Sequence, residues 1–477
     1  MATAHDPARL ATHPAQLTQV LELQRRSFEA DPYPPLKIRR DRLDRLRRML
    51  REHAGSIRDA IAADFGMRAS QETELLEQFT SLEGIAHARR RLRRWMRAER
   101  RPVAWWSLPA RARLMRQPLG VVGIIVPWNY PQYLAVSPLT AALAAGNRAM
   151  LKMSEHTPRF GALFETLIAQ SFSADEIVAV NGDATVAKAF AALPFDHLLF
   201  TGSTQVGREV MKAASANLTP VTLELGGKSP AIVAAGFDLD EAARRIMYGK
   251  LLNAGQTCVA PDYALVPQAS IDRFVESCRV ATMAFYPKLA TNPQYTSIIN
   301  DRQYRRLAAG IEDARAGGAT LHALHEEPAD SERRRLSPVA VTNVTPAMRL
   351  MQEEIFGPVL PVVGYESLEE AIAFVNARPR PLALYYFGAE DAGLEAVLLR
   401  TVAGGVTVNN TALHVVQEEL PFGGVGPSGM GHYHGRAGFD TFSKLKPVLL
   451  DGRLSASRLL MPPYGRLFRV VLKLLYL

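Results

Sequence analysis

The sequence predicts an α/β protein built on two parallel sheets, and two observations lead to this fold class. From about residue 118, short apolar runs alternate with longer segments of helical periodicity, as in parallel sheets whose strands are joined by helices. The alternation continues past residue 225 to about Tyr386, so a second α/β unit is expected. The chain has 477 residues, 48% of them hydrophobic, which suffices for several cores and excludes a disordered or polytopic membrane protein.

Six apolar runs are predicted as strands. They are Val121–Val126, Ala149–Met153, Ile177–Val180, His197–Phe200, Val221–Leu225 and Ala231–Val233. Helices are predicted over Gly161–Ser171, Gln205–Ala216, Leu239–Leu252 and Ser270–Phe285. Glycine and proline concentrate at Gly404–Gly405 and Pro421–Gly431, where loops are expected.

The formal charge of +9 lies in the first quarter of the chain. Residues 1–116 carry a net charge of +10, and Arg89–Arg101 holds eight arginines in thirteen residues. Such a surface could bind nucleic acid or an anionic membrane. The alternative, which we favour, is the solvated side of an amphipathic helix, so no nucleic-acid partner is predicted. The apolar stripe of that helix would comprise Leu75, Phe79, Leu82, Ile85, Leu92 and Met96, and an earlier helical stripe comprises Leu43, Leu46, Leu50, Ile57 and Ile61.

The cysteine count and the two ends of the sequence indicate the kind of site and the cellular compartment to expect. Two cysteines exclude a disulfide scaffold and a Cys-rich metal site, and no metal is predicted. Met1–Gln19 has no apolar core and no run of about 20 apolar residues exists, so a cytoplasmic protein is expected. The apolar end, Leu467–Leu477, contains Arg469 and Lys473; it could dock on a partner subunit or touch a membrane surface, but it is too short to cross one.

Two glycine-containing segments compete as a cradle for phosphates. Residues 424–429 (GVGPSG) match the dinucleotide fingerprint literally, but Pro427 lies inside the pattern and no strand and long helix flank it, so a tight loop is predicted. Residues 200–207 (FTGSTQVG) follow an apolar strand and begin a helix that Ser203 or Thr204 could cap. Its N–H groups and dipole would face an anion such as a pyrophosphate, although many helices begin this way for capping alone.

Cys258 and Glu224 stand in unusual settings. Cys258 lies in a glycine-bearing loop with polar neighbours, where a thiolate could form and reach a substrate, whereas Cys278 is predicted to be a buried hydrophobe in a helix. Glu224 interrupts an apolar strand, where its pKa should be raised, and this suits a general base near neutrality. The alternatives are an ordinary buried cysteine and a salt bridge from Glu224 to Lys228.

Polar residues end two further predicted strands. The side-chain amide of Asn129 could donate to a developing oxyanion, or Asn129 could simply form the turn. Lys152 and Glu155 could hold sugar hydroxyls or form an ordinary loop ion pair. Ligands collect at the carboxyl edge of parallel sheets, where all three residues are expected.

Together these segments resemble the aldehyde dehydrogenase superfamily over about residues 20–447. The signatures are VTLELGGKSP at Val221–Pro230, GQTC at Gly255–Cys258, VPWNYP at Val126–Pro131 and EEIFGP at Glu353–Pro358. Glu224 and Cys258 lie 34 residues apart, as the family pattern requires. Leu420–Gly431 (LPFGGVGPSGMG) is similar to the class 3 branch, and His414–Ser443 most resembles bacterial coniferyl aldehyde dehydrogenases.

The resemblance implies a mechanism. Cys258 would attack the aldehyde carbon, with Asn129 and the backbone N–H of Cys258 forming the oxyanion hole. Hydride would pass to NAD(P)⁺, and Glu224 would activate the water that hydrolyses the resulting thioester to a carboxylic acid. The positions implied to contact the cofactor are Trp128, Lys152, Glu155, Gly202, Ser203, Gly207, Leu225, Glu354 and Phe356. Glu155 at the ribose implies NAD, with NADP also accepted in this branch.

The resemblance also implies domains, assembly and substrate class. A variant Rossmann cofactor domain would span residues 1–104 and 118–223, and a catalytic domain residues 224–407. A bridging β-hairpin element would span 105–117 and 408–447, before a tail at 448–477; a homodimer is implied. The substrate would be an aromatic aldehyde such as coniferyl aldehyde, or a medium-chain aliphatic one. The alternatives are a broad-specificity fatty or aliphatic aldehyde dehydrogenase, a coenzyme-A-acylating semialdehyde dehydrogenase, against which Glu224 argues, and a non-catalytic binding protein.

Overall fold

The structure is a computed structural model that describes residues 14–452, 458 and 460–476. The sequence prediction made for Met1–Gln19 falls largely on Met1–His13, which lie outside the described residues. The helices are α1 Pro14–Ala30, α2 Leu36–Glu52, α3 Ala54–Phe65, α4 Ser70–Thr73, α5 Thr80–Trp95, α6 Pro131–Ala145, α7 Pro158–Ser171, α8 Ala184–Ala191, α9 Thr204–Ser215, α10 Leu239–Leu251, α11 Ile271–Phe285, α12 Asp301–Ala316, α13 Arg349–Gln352, α14 Leu368–Asn376, α15 Ala392–Arg400, α16 Gly435–Thr441 and α17 Arg466–Leu475. A π-helix spans Glu74–Phe79, and 3₁₀ turns span Trp105–Ser107, Leu252–Gly255 and Gln268–Ser270.

The first sheet contains the strands of the predicted cofactor-binding half. Its strands are β3 Val121–Ile125, β4 Arg148–Lys152, β5 Ile177–Val180, β6 His197–Thr201, β7 Val221–Glu224 and β15 Gly429–Met430. Their order is β15-β7-β6-β3-β4-β5, parallel except for β15. These strands are almost continuously apolar because helices cover both faces of the sheet.

The second sheet continues the same alternation. Its strands are β8 Pro230–Val233, β9 Tyr263–Pro267, β10 Thr320–Ala323, β11 Val339–Thr342, β12 Val359–Tyr365, β13 Ala383–Phe387 and β14 Gly405–Val408. Their order is β10-β11-β12-β9-β8-β13-β14, parallel except for β10. The predicted α/β class with two parallel sheets is therefore confirmed.

A third, antiparallel sheet joins the N-terminal and C-terminal parts of the chain. It comprises β1 Glu99–Arg101, β2 Arg111–Pro118 and β16 Ser443–Leu450, with β2 in the middle. The predicted hairpin therefore has its first strand before residue 105, since Trp105–Ser107 forms a 3₁₀ turn. The segment between β14 and β16 is not confined to this sheet, because β15 pairs with β7.

The predicted apolar stripe of the arginine-rich helix is wrong at its N-terminal end. Ile85 and Leu92 are buried on α5, but Leu75 and Phe79 are 52% and 59% exposed. Both exposed residues lie in the π-helix, whose wider turn shifts side chains away from the α-helical stripe. The earlier stripe is correct, and its residues Leu43, Leu46, Leu50, Ile57 and Ile61 are all buried.

Candidate active site

The carboxyl ends of four parallel strands meet at one edge of the first sheet. The register pairs Ile125 with both Lys152 and Phe200, and Thr201 with Glu224. The loops that follow β3, β4, β6 and β7 therefore leave the sheet side by side. They carry most of the residues predicted from sequence to act on a substrate or to bind a cofactor.

Glu224 is the last residue of β7 and is 2% exposed. Neither of its carboxylate oxygens has a hydrogen-bond partner among the described residues. The alternative of a salt bridge to Lys228 is wrong, because the ammonium of Lys228 pairs with Asp262 and donates to the carbonyl of Leu350 at 2.7 Å. Burial raises the pKa of Glu224 well above its usual value, in the predicted direction.

The glycine turn at residues 424–429 supports the strand that carries Glu224. Gly429 pairs with Glu224, and the N–H of Leu225 donates to the carbonyl of Ser428 at 3.1 Å. Gly429 has φ of +147°, and a Cβ there would lie 2.2 Å from the carbonyl oxygen of Leu223. The segment is thus a tight loop as predicted, but sequence reasoning missed that it packs beside Glu224.

Cys258 follows a strained turn at the end of α10. Asn253 and Ala254 both have φ of +52°, and Gly255 has φ of +78°. A Cβ on Gly255 would lie 2.4 Å from the carbonyl oxygen of Gly357, so only glycine fits there. Left-handed backbone of this kind is costly and is typically retained at functional sites.

Cys258 is half-buried, and its raised pKa favours the protonated thiol at neutral pH. Burial, followed by the nearby carboxylates of Glu354 and Glu224, raises the pKa of the thiol to about 12, although hydrogen bonds from the backbone N–H groups of Cys258 and Val259 act in the lowering direction. Cys258 therefore needs a base or a bound ligand to become a nucleophile. Cys278, in contrast, is fully buried on α11, as predicted.

Asn129 lies against the Cys258 loop. Its side-chain Nδ2 donates to the carbonyl of Gln256 at 3.2 Å, and the hydroxyl of the next residue, Tyr130, lies 2.7 Å from that of Thr257. Asn129 is 4% exposed, so its amide has a fixed place rather than a solvent-facing one. The structure thus brings together the predicted amide donor and the predicted nucleophile.

Lys152 ends β4 at the same edge, and Glu155 lies in the turn that follows. The ammonium of Lys152 donates to the carbonyl of Met153 at 2.7 Å and lies 4.0 Å from Glu155. Burial of Lys152 lowers its pKa, whereas the carboxylate of Glu155 is 42% exposed. This loose pair leaves the carboxylate of Glu155 available to sugar hydroxyls, whereas the ammonium of Lys152 is buried beneath it.

The β6–α9 turn has the geometry predicted for anion binding. Ser203 caps α9, its Oγ accepting from the N–H of Val206 at 3.4 Å, and Gly202 donates its N–H to the carbonyl of Glu224 at 3.0 Å. Gly207, in the first turns of α9, packs against Leu225. The positive end of the α9 dipole therefore faces the site edge, which fits the phosphates of a dinucleotide.

Glu354 and Phe356 reach this edge from the second half of the chain. The carboxylate of Glu354 packs on Gly226 and accepts from the N–H of Gly227; burial, reinforced by Asp262, raises its pKa to about 8. The ring of Phe356 meets that of Trp128 edge-on, with centroids 5.4 Å apart. The predicted cofactor residues thus come from loops that meet at this edge of the first sheet.

Sequence reasoning missed three charged residues of the N-terminal quarter. Arg68 donates to the carbonyl of Asn129 at 2.7 Å, Glu72 accepts from the N–H of Asn253 at 3.1 Å, and Glu77 accepts from the N–H of Gln132 at 2.8 Å. Part of the charge in the first quarter of the chain therefore contacts the loops of the candidate site, rather than facing solvent. No local pattern marks them, because their contacts span many residues of sequence.

The site can combine a nucleophile, a general base and an amide donor. Over the described residues, no group of three or more His, Cys, Asp or Glu side chains is placed to hold a metal ion. Nor is any described helix long and apolar enough to cross a membrane.

The nucleophile, the general base and the amide donor together suit acyl chemistry on a cysteine, beside a crevice for a dinucleotide.

Comparison with known proteins agrees with this chemistry. The aldehyde dehydrogenase family profile matches residues 11–448. A probable coniferyl aldehyde dehydrogenase of Pseudomonas aeruginosa is 52% identical over 451 residues, 94% of each chain. The substrate-bound state of Staphylococcus aureus AldH superposes with a TM-score of 0.91 at 35% identity, covering 96% of this chain and 99% of that one.

A further solved structure bears on the cofactor. A mutant of the indole-3-acetaldehyde dehydrogenase AldA of P. syringae, in complex with NAD⁺ and IAA, superposes with a TM-score of 0.84 at 27% identity. It covers 92% of this chain and 89% of that one. The predicted superfamily and cofactor are thus confirmed: the chain belongs to the aldehyde dehydrogenase family and is an NAD(P)-dependent oxidoreductase of aldehydes.

Proposed function

We propose that this chain oxidises its aldehyde to a carboxylic acid through covalent intermediates on Cys258. The Cys258 thiol first gives its proton to a water molecule, and the resulting thiolate attacks the aldehyde carbon. The carbonyl oxygen becomes an oxyanion that accepts from the Asn129 amide and the Cys258 backbone N–H. NAD(P)⁺, when bound, supplies the acceptor for the hydride that leaves this carbon. The carbon then forms a thioester with Cys258.

Glu224 acts in the second half of the reaction. A water molecule attacks the thioester carbon as Glu224 takes its proton, the carbon–sulfur bond breaks, and the acid leaves with Cys258 restored as a thiolate. The observation that carries this proposal is the buried Glu224 carboxylate without a partner among the described residues, next to the loop of Cys258. A base held without a salt bridge remains free to accept a proton.

The same residue argues against transfer of the acyl group to coenzyme A. A carboxylate that activates water favours hydrolysis of the thioester over its exchange with a second thiol. The proposed product is therefore the free acid.

The cofactor crevice is proposed to bind NAD through the residues at the sheet edge. Lys152 and Glu155 would hold the adenosine ribose, Gly202, Ser203, Gly207 and Leu225 the pyrophosphate, and Glu354, Phe356 and Trp128 the nicotinamide half. The exposed carboxylate of Glu155 supports NAD over NADP, because a 2′-phosphate would meet a like charge. NADP remains a weaker proposed cofactor.

The proposed substrate is an aromatic aldehyde such as coniferyl aldehyde. The identity to the probable coniferyl aldehyde dehydrogenase supports this class. An open groove beside the start of the Cys258 loop is lined largely by apolar and aromatic side chains, including Leu75, Tyr248, Phe285 and Tyr286. Such a surface suits a flat apolar substrate.

A substrate panel tests this proposal. We expect kcat/KM with NAD⁺ to be highest for cinnamyl-type aldehydes and at least tenfold lower for straight-chain aldehydes of medium length. A preference for the aliphatic aldehydes would replace the aromatic substrate with the medium-chain alternative. Parallel assays with NADP⁺ should give lower kcat/KM values for every aldehyde.

We further propose a cytoplasmic homodimer with the domain division predicted from sequence. Two unpaired cysteines, one of them the nucleophile, suit a reducing compartment. Trp105, Trp106 and Leu108 are exposed beside the third sheet and suit a subunit interface.

α17 exposes Leu467, Val470 and Leu474, which supports docking on a partner subunit or weak contact with a membrane surface. Sedimentation of the full chain and of a chain ending at residue 450 would test the dimer and the role of the tail.

A further inference from the structure

The carbonyl oxygen of Asn129 is held by two buried donors. Nη1 of Arg68 lies 2.7 Å from it and Nδ2 of Asn253 lies 3.1 Å from it. The side-chain amide of the same residue donates to the carbonyl of Gln256 at 3.2 Å. Arg68 therefore fixes the backbone of the residue whose side chain is the proposed oxyanion donor.

Arg68 is itself held by an ion pair and by two aromatic rings. It is 2% exposed, and its Nη2 lies 3.0 Å from Oε1 of Glu77 in an ion pair with both side chains fully buried. The guanidinium also lies over the rings of Phe65 and Tyr130, at 4.8 and 4.9 Å from their centroids. The side chain is thus left with little rotational freedom.

Glu77 also holds the backbone on the C-terminal side of Asn129. Its Oε2 accepts from the N–H groups of Gln132 and Tyr133, at 2.8 and 3.2 Å, in the first turn of α6. α6 begins two residues after Asn129, so one ion pair holds the chain both at Asn129 and just beyond it. Glu77 lies in the π-helix, a geometry that often occurs at functional sites.

Burial of this pair is not explained by stability alone. Removing two charges from water has a desolvation cost that their attraction only partly offsets, so buried pairs are weak evidence of a stabilising role. Arg42 and Glu176 form another largely buried pair, 2.9 Å apart, but neither touches the catalytic loops. This second pair provides an internal control for a purely structural contribution.

We propose that Arg68, fixed by Glu77, is a positioning residue that sets the Asn129 amide in the oxyanion hole. The inference rests on the proposed function, because it needs Asn129 to donate to the oxyanion. Arg68 itself does not touch the substrate. Its loss lets Asn129 drift, and a displacement of about 1 Å at a reacting centre can slow the chemical step on the order of 100-fold.

A double-mutant cycle tests the proposal in the full chain. The variants are Arg68→Lys, Asn129→Ala and the double variant, and the measurement is the rate of NADH formation in a single turnover with saturating NAD⁺. We expect Asn129→Ala to slow this step about 100-fold and Arg68→Lys to slow it about 10- to 100-fold. In the Asn129→Ala background, Arg68→Lys should cost less than about threefold, because Arg68 acts only through Asn129.

Controls separate positioning from folding. Arg42→Lys, which perturbs the other buried pair, should leave the single-turnover rate unchanged, and NAD⁺ affinity should be unaltered in every variant. If Arg68→Lys does not fold, Glu77→Gln takes its place in the cycle, since it keeps the shape and an acceptor oxygen but removes the charge.

The outcomes distinguish two failures. An unchanged rate in Arg68→Lys, or an equal loss in both backgrounds, would overturn the positioning role while leaving the proposed function intact. An unchanged rate in Asn129→Ala would instead contradict the proposed oxyanion hole, and with it the basis of the inference.

Discussion

Two groups of charged residues in the first quarter of the chain have opposite relations to the site. The arginines of α5, such as Arg89, Arg90 and Arg91, are exposed and pair with acidic groups at the surface. Arg68 and Glu77, only a short way earlier in sequence, form a fully buried ion pair, and Arg68 donates to the carbonyl of Asn129. The density of charge along a sequence therefore does not indicate its role, whereas burial and partners do.

The largest loss of activity is expected when the thiol of Cys258 is removed. Cys258→Ala should abolish NADH formation, because no other nucleophile replaces the thiol, while NAD⁺ binding should persist. Steady-state turnover and fluorescence titration of the cofactor measure the two. Residual turnover above background would remove Cys258 from the proposed mechanism.

A smaller and more selective effect is expected at Glu224. Glu224→Gln should keep the pre-steady-state burst of NADH but slow turnover by roughly 100-fold or more, since general-base catalysis contributes on that order. Stopped-flow absorbance resolves the two phases. Loss of the burst itself would contradict a role confined to hydrolysis of the thioester.

The pH dependence of turnover tests the same role for Glu224. Burial raises the pKa of Glu224, so its carboxyl is protonated and inactive as a base at low pH. Turnover limited by thioester hydrolysis should therefore rise with pH until Glu224 is ionised, well above the usual range of a glutamate. The rise of turnover with pH should be missing in Glu224→Gln. If the rise persists in this variant, it reports the titration of another group, such as the thiol of Cys258.

Removal of a buried carboxylate should lower the free energy of unfolding more than removal of an exposed one. Glu72→Ala leaves the N–H of Asn253 and the hydroxyl of Thr296 without their acceptor, which should lower the free energy of unfolding by about 2 kcal/mol. The matched control is Glu83→Ala, which removes an exposed partner of Arg90 and should have little effect. Denaturant unfolding compares the two, and equal losses would undo the contrast between the groups.

The weakest effect is expected on the exposed surface. The triple change Arg89→Gln, Arg93→Gln and Arg94→Gln should leave turnover and the unfolding midpoint unchanged, because these side chains face solvent. Steady-state assays check the first and thermal melts the second. A large drop in activity, or salt-sensitive binding of DNA by the unaltered protein, would instead support the alternative that the arginine-rich segment binds nucleic acid or an anionic membrane.

The strands and the reactive residues were predictable from sequence for local reasons. Buried parallel strands read as apolar runs, and β3, β5, β6 and β7 begin at the residues predicted. Glu224 and Cys258 stood out because each interrupts its surroundings, a carboxylate in an apolar strand and a thiol in a polar loop.

Long-range features could not be found in the same way. Arg68 and Asn129 are 61 residues apart, and the packing of the π-helix against α6 helps to bring them together. The π-helix also invalidated the helical spacing at Leu75 and Phe79, since one changed turn rotates every residue in it. The support of Glu224 by Gly429 likewise depends on a strand pairing across about 200 residues.

Direct detection of the acyl-enzyme would decide whether the aldehyde becomes a thioester on Cys258 that Glu224 helps to hydrolyse. The Glu224→Gln variant, mixed with NAD⁺ and aldehyde and quenched in acid, should carry the acyl group of the product acid on Cys258, as peptide mass spectrometry would detect. Cys278, which is buried, should stay unmodified. Absence of the adduct while NADH is formed, or an adduct on another residue, would contradict the proposed mechanism.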